Sequence, residues 1–226
     1  MNARERPQLM VLASGGASTL REIVRAIEAN RHRGIDPGFD IGLVVSDHPE
    51  ETFPTVERLN QEFGLDIRME VVNRKLYPNG PAARGITDEE SEVICKLFEE
   101  GGFDAIACLG FMRILRGLLI DKYGWQPGMS PFEAKIINTH PGKLPETADT
   151  HGAGASQKAI DLKLPFTAHT LHVVSTGVDE GEVLYETPVP ILPGDNAEQV
   201  FERVQIAEKA VLPLAISAFL KKRGCC

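Results

Sequence analysis

The chain of 226 residues has few cysteines, few aromatics and no excess of basic charge. Its four cysteines suggest no disulfide framework. Cys95 and Cys108 fall in an expected helix and an expected strand, and Cys225 and Cys226 form a terminal pair. Reduced thiols are therefore expected, in a cytoplasmic protein. Lys and Arg number 24 against 32 Asp and Glu, a net charge of −8. That balance argues against the basic stripe that nucleic acid or an anionic membrane requires. A locally positive site for an anionic small molecule remains open. No apolar run approaches the about 18 residues of a membrane span. The opening "MNARERPQLMVLASGG" lacks a signal-peptide apolar region with a cleavage site. The dinucleotide pattern G-x-G-x-x-G is missing, as is a P-loop lysine.

What is present is an alternation of short β-rich runs and amphipathic helices. Strands are expected at Gln8 to Ala13, Asp40 to Ser46, Asp66 to Val72, Asp104 to Gly110 and Ala134 to Asn138. Helices are expected from Ser18, with Ser18 itself as N-cap, from Pro49 to about Phe63 with Gly64 as its stop, and after the cap Thr87. Phe166 to Val174 and Val183 to Ile191 suggest an antiparallel hairpin. The final helix, through Arg223, should bend or break near Pro213. The segment "NRKLYPNGPAARG" suggests a lid or an insertion. Near-continuous apolar strands between helices predict an α/β fold, a doubly wound, mainly parallel Rossmann-like sheet. No repeat or linker divides the chain, so one domain is expected over 1–226, with 1–7 and 224–226 frayed.

In such sheets ligands bind beyond the carboxyl ends of the strands, so four loops carry information. "ASGGAST" offers glycines and a helix start suited to phosphate. "LGFMRIL" places Arg113 among apolar residues, which suits either an anion or a helix start packed on the core. In "KIINTHPGKLP", Asn138 and His140 lie two apart and project to one side of a strand end. An amide beside an imidazole suits oxyanion stabilisation and proton transfer, although N-x-H also serves as ordinary turn chemistry. "STGVDEGEV" holds Asp179, which could orient His140 or merely form a turn. His169 and His172 should face opposite sides of one strand, which argues against zinc, and no metal is expected.

The pieces "GFMRIL", "IINTHPGKLP", "VDEGEVL" and "RVQIAEKAVLP", in this order, resemble the folate-dependent formyltransferase family, and specifically its glycinamide ribonucleotide transformylases. The resemblance runs through nearly the whole chain. It implies transfer of a formyl group from 10-formyltetrahydrofolate, as co-substrate, to the amine of glycinamide ribonucleotide. It implies a catalytic trio of Asn138, His140 and Asp179. Substrate phosphate and ribonucleotide would be held by Gly15, Gly16, Ala17, Ser18, Thr19, Gly110, Gln205 and Glu208. Folate would be lined by Met112, Arg113, Ile114, Leu115, Ser175, Thr176, Gly177 and Val178. The partners implied are small molecules, with no nucleic acid or membrane, in a monomer or homodimer. Relatives read S-G-x-G-S-N where this chain has "SGGAST", and "GKLPETADTHGAGA" departs from their outer wall. A formyltetrahydrofolate deformylase or a methionyl-tRNA formyltransferase is the nearest alternative. An extra domain before or after this one would be expected in either case. A non-catalytic phosphosugar-binding module is the further alternative.

Overall fold

A computed structural model describes residues 6–80 and 84–225. The middle of the expected lid, 81–83, and the extreme ends, 1–5 and 226, lie outside the described residues. In chain order the elements are β1 (Gln8–Ala13), α1 (Ser18–His32), β2 (Asp40–Ser46), α2 (Pro49–Phe63), β3 (Arg68–Val71), α3 (Asp88–Gly101) and β4 (Ala105–Cys108). They continue as α4 (Leu118–Tyr123), β5 (Ile136–His140), α5 (Ala153–Asp161), β6 (Phe166–Val173), β7 (Val183–Pro190) and α6 (Ala197–Lys222). The strands form one sheet in the order β3-β2-β1-β4-β5-β6-β7. β1 to β5 run parallel, and β6 and β7 turn antiparallel, as the hairpin pattern predicts.

Side chains alternate across the pleat and divide the interior in two. Leu9, Val11 and Ile137 pack with Ile23 of α1, Val56 of α2 and Phe219 of α6. Met10, Leu12 and Ile136 meet Ile94 and Phe98 of α3 and Leu119 of α4 on the other face. Cys95 and Cys108 are buried free thiols, pushed up by burial to about 11 and about 12. The chain runs outward through β1, β2 and β3, then returns to lay β4 against β1. The carboxyl ends of β1 and β4 therefore mark the point where strand order reverses.

Four local expectations need correction. The N-cap of α1 is Ala17, in left-handed backbone with φ 49, and no side chain caps the helix. β3 is shorter than expected and covers only Arg68–Val71. β5 lies two residues later than the apolar run suggests, because Asn138, Thr139 and His140 all pair with the antiparallel neighbour β6. α6 runs unbroken through the buried Pro213, since packing on the sheet outweighs the lost helical hydrogen bond. The helices α4 and α5 carry too little periodicity to be read beforehand.

α3 begins where the sequence indicates. Thr87 Oγ1 accepts from Glu90 N at 3.0 Å, and the Glu90 carboxylate accepts in return from Thr87 N, a capping box. The same carboxylate is fully buried and takes both arms of Arg113, one at 2.7 Å. Arg113 also donates to Gly85 O at 2.8 Å. Burial works to raise the Glu90 carboxyl, but Arg113 and the Thr87 N–H more than offset it and hold it below the carboxylate range. Removing one member of such a pair leaves a buried uncompensated charge. Glu90→Leu is expected to lower unfolding free energy by about 3–5 kcal/mol, read as a fall in the urea midpoint. An unchanged midpoint would show that the pair contributes nothing to the fold.

Candidate active site

The loop after β1 sits against the loop after β4. Ser14 N donates to Gly110 O at 3.3 Å, Met112 N donates to Ser14 Oγ at 3.2 Å, and Ser14 Oγ donates to the buried Asp47 at 2.7 Å. Ser14 thus joins the ends of β1, β2 and β4. Gly15 holds φ +56, and the hydroxyls of Thr52 and Thr55 in α2 take the carbonyls of Gly15 and Gly16. With those carbonyls turned toward α2 and no side-chain cap, the N–H groups at the start of α1, Ala17 to Thr19, are available to an anion. A Cβ on Gly16 would meet nothing within 4 Å, so the loop is open on that side.

The loop after β4 divides its residues between core and surface. Gly110 takes φ +75, Met112 is 61% exposed, and Leu115 is buried. Arg113 is turned inward to Glu90, so its guanidinium belongs to the fold and only its backbone faces the loop. Ile114 is held by backbone bonds to Arg84 and Ile86. In the β6–β7 loop Val178 is exposed, and Ser175 Oγ donates to Gly177 O at 3.4 Å. Thr176 lies exposed on the same loop.

Asn138, His140 and Asp179 come together. His140 Nδ1 lies 3.3 Å from Asp179 Oδ2, and His140 is buried. Asp179 reaches it from left-handed backbone, φ 55, a conformation that Asp tolerates better than most residues. Gly181 fixes that loop, since a Cβ there would lie 1.6 Å from Val173 O. Burial works to raise the Asp179 carboxyl, but the hydrogen bond to His140, and then the charge of His140, hold it below the usual range. Asp149 N adds a bond at 3.3 Å.

His172, which the sequence brings up only in connection with zinc, and Thr147 and Asp149, which it does not single out, complete the cluster. His172 Nδ1 donates to Val173 O at 2.9 Å, which leaves Nε2 as an acceptor for Asn138 Nδ2 at 3.1 Å. Burial, the larger influence, and the charge of His140 favour the neutral imidazole this tautomer needs. One of the two Asn138 amide hydrogens is thereby fixed and the other is left for a ligand. Thr147 Oγ1 donates to Lys143 O at 2.9 Å and accepts from His140 Nε2 at 3.0 Å. Both ring nitrogens of His140 therefore face oxygen acceptors, which the imidazolium satisfies on both sides. Gly142 permits this contact, because a Cβ there would lie 2.1 Å from Thr147 Oγ1. The antiparallel pairing of β5 with β6 sets His172 opposite Asn138. Nothing local in the sequence signals Thr147 or Asp149, which arrive because the segment after β5 folds back.

The other face of β5 carries a second polar group. Thr139 Oγ1 donates to Glu208 Oε1 of α6 at 2.7 Å and meets His169 Nε2 at 2.7 Å. Gln205, partly exposed, precedes Glu208 by three residues on the same side of α6. His169 and His172 thus face opposite sides of β6, as alternation predicts. Among the described residues, no group of three or more His, Cys, Asp or Glu could hold a metal ion. No helix among them is long and apolar enough to cross a membrane.

Known proteins share this arrangement of chain. A trifunctional purine biosynthetic protein adenosine-3 from Homo sapiens is 28% identical over 214 residues, covering 94% of this chain and 18% of its own length. This chain therefore spans under a fifth of that relative. A phosphoribosylglycinamide formyltransferase from Mycobacterium tuberculosis is 36% identical over 115 residues, which is 51% of this chain and 48% of that protein. The solved structure of glycinamide ribonucleotide transformylase 1 from Geobacillus kaustophilus superposes with a TM-score of 0.74 at 27% identity, covering 95% of this chain and 99% of that one. The formyl transferase family model matches residues 7–216, and the chain belongs to that family.

Proposed function

We propose that this protein transfers the formyl group of 10-formyltetrahydrofolate to the glycyl amine of 5-phosphoribosylglycinamide. The observation that carries the reading is the convergence of Asn138, His140 and Asp179 at the carboxyl end of β5. Support comes from the open, uncapped start of α1 two strands away, on the other side of the switch point. The substrate phosphate is held by the N–H groups of Ala17, Ser18 and Thr19, with Ala17 keeping a left-handed backbone, φ 49, that glycine would adopt at less cost. The folate lies against Met112 to Leu115 and Ser175 to Val178, offering apolar contact through Met112 and Val178 and backbone polar groups elsewhere.

The amine attacks the formyl carbon, and the carbonyl oxygen becomes an oxyanion. Asn138 donates its second amide hydrogen to that oxygen, in an orientation set by His172. His140 donates from Nε2 once the oxyanion displaces Thr147 Oγ1, while Asp179 stabilises the imidazolium through Nδ1. The attacking nitrogen loses a proton, by way of water or Asp179. The folate N10 takes one as the carbon–nitrogen bond to it breaks, and the formamide is released. The amine is already a competent nucleophile, so no covalent enzyme intermediate is needed.

The test is an assay of purified protein with a 10-formyl folate and glycinamide ribonucleotide. Deformylated folate should appear only when the amine is present. Formate release without the amine would instead indicate a deformylase, and no turnover with intact ligand binding would indicate a binding module. Asn138→Ala is expected to fold normally and lose on the order of 10²–10³ in kcat. Near wild-type turnover would remove Asn138 from the reaction. Asp179 gives a pH prediction with a definite sign. Its folded carboxyl lies below the ordinary value near 3.8, so on acidification the unfolded chain binds that proton first. The stabilisation is complete above 3.8 and is lost as pH falls through the depressed value. Asp179→Asn should flatten this part of the stability profile, measured by urea unfolding at acid pH, and slow turnover by about 10² or more. An unaltered acid profile would show that the His140 contact does not stabilise the fold.

A further inference from the structure

Asn138 and His140 share one face of β5, and Thr139 between them points the other way. On that side the hydroxyl of Thr139 lies 2.7 Å from Glu208 Oε1 and 2.7 Å from His169 Nε2. His169 is 2% exposed, and the Glu208 side chain is 13% exposed. A threonine hydroxyl has one hydrogen to give. Burial pushes the Glu208 carboxyl up and the Thr139 hydroxyl works against it; in its ionised form Glu208 can only accept, so that hydrogen goes to Glu208 and His169 donates its Nε2–H to Thr139. The three groups form one directed chain, His169 to Thr139 to Glu208. Both contacts of Glu208, the short one from Thr139 and the longer one from His169 at 3.9 Å, fall on Oε1. Among the described residues, Oε2 is left for a ligand.

We propose that Thr139 and His169 are positioning residues that hold Glu208 so that Oε2 presents itself to the hydrogen-bond donors of the acceptor substrate. The inference rests on the proposed function, and it concerns only the ribonucleotide. Folate lies against other loops and makes no use of this network. The chemistry recognised is a donor group, ammonium, amide N–H or hydroxyl, that a carboxylate alone can bind. Without its partner, a long glutamate side chain on a helix would sample several rotamers, and each substrate encounter would have to select one. Burial, and after it the charge of His140, pushes the His169 imidazole down to about 4, which keeps it neutral and able to carry the single Nε2–H this chain needs.

The same network would also serve as mere glue between the sheet and α6, and a kinetic split separates the two roles. Thr139→Val keeps the shape and removes the hydroxyl. It is expected to raise KM for glycinamide ribonucleotide about tenfold, the loss typical of a hydrogen bond to a charged group. KM for the formyl folate should change less than about twofold, because that ligand does not meet Glu208. Thr139→Ser should restore the ribonucleotide KM. His169→Gln, which can still donate, should lie closer to wild type than His169→Phe. Thermal midpoints are measured for all four variants. An unchanged ribonucleotide KM in Thr139→Val overturns the inference. So does an equal rise for both substrates that tracks a lowered midpoint, since that is the behaviour of glue. If the wild-type protein forms no formylated ribonucleotide at all, the proposed function falls and this inference with it. An active wild type with an indifferent Thr139→Val removes the inference alone.

Discussion

The carboxylate of Asp179 ties together three stretches of chain that are remote in sequence. One oxygen faces His140 at the end of β5, the other lies 3.6 Å from His172 in β6, and Asp149 from the segment after β5 donates to it through its backbone. The rest of the site depends on this contact. Without it the β6–β7 loop would have no reason to turn through left-handed backbone at a non-glycine residue. His140 would lose the negative charge that accommodates its imidazolium, and the fold-back that brings Thr147 to Nε2 would lose an anchor. The carboxylate stays charged although burial opposes it, because the hydrogen bond to His140 and the charge of that imidazole compensate.

A second constraint is the reversal of strand direction at β5. Parallel strands from β1 to β5 put all their carboxyl ends on one edge, where the glycine loop and "GFMRIL" meet through Ser14. β6 then runs back along β5, which lays His172 beside Asn138 and extends pairing to His140. Asn138 and His140 are therefore held by strand hydrogen bonds on a rigid element, and the mobility of a loop does not enter their geometry. Strand alternation makes the same three residues serve both faces. Asn138 and His140 look toward Asp179, while Thr139 looks toward α6 and Glu208. The two polar groups are separated by one layer of backbone and are coupled electrostatically, since the charge of His140 helps keep His169 neutral.

Some charged residues turned out to belong to the architecture. Arg113 reads in the sequence as an anion ligand or as part of a helix start packed on the core, and in the structure its guanidinium is engaged by Glu90 and Gly85 O. Its guanidinium closes the capping box of α3 from outside, and so links the loop after β4 to a helix on the opposite side of the sheet from α1. Glycine has the same double character. Gly142 and Gly181 occupy places where any side chain would strike Thr147 or the Val173 carbonyl, so each protects one contact around Asn138, His140 and Asp179.

Periodicity and turn chemistry by themselves determined the α/β class, the parallel strands, the final hairpin and the cap at Thr87, because these depend on residues close together along the chain. Asn138 and His140 were legible for the same reason, since two positions apart on a strand means one side. Asp179 was legible either as an orienter of His140 or as an ordinary turn residue, and the resemblance to formyltransferases favoured the first. The tertiary structure alone decided which partners each of them meets. Nothing local to "GKLPETADTHGAGA" says that it folds back to bring Thr147 to His140, and nothing local to Thr139 says that a helix 69 residues later supplies Glu208. β5 itself extends two residues beyond its apolar run for the same cause. Its polar end is a strand because β6 pairs with it, and pairing between distant segments is a property of the folded chain that no local pattern encodes.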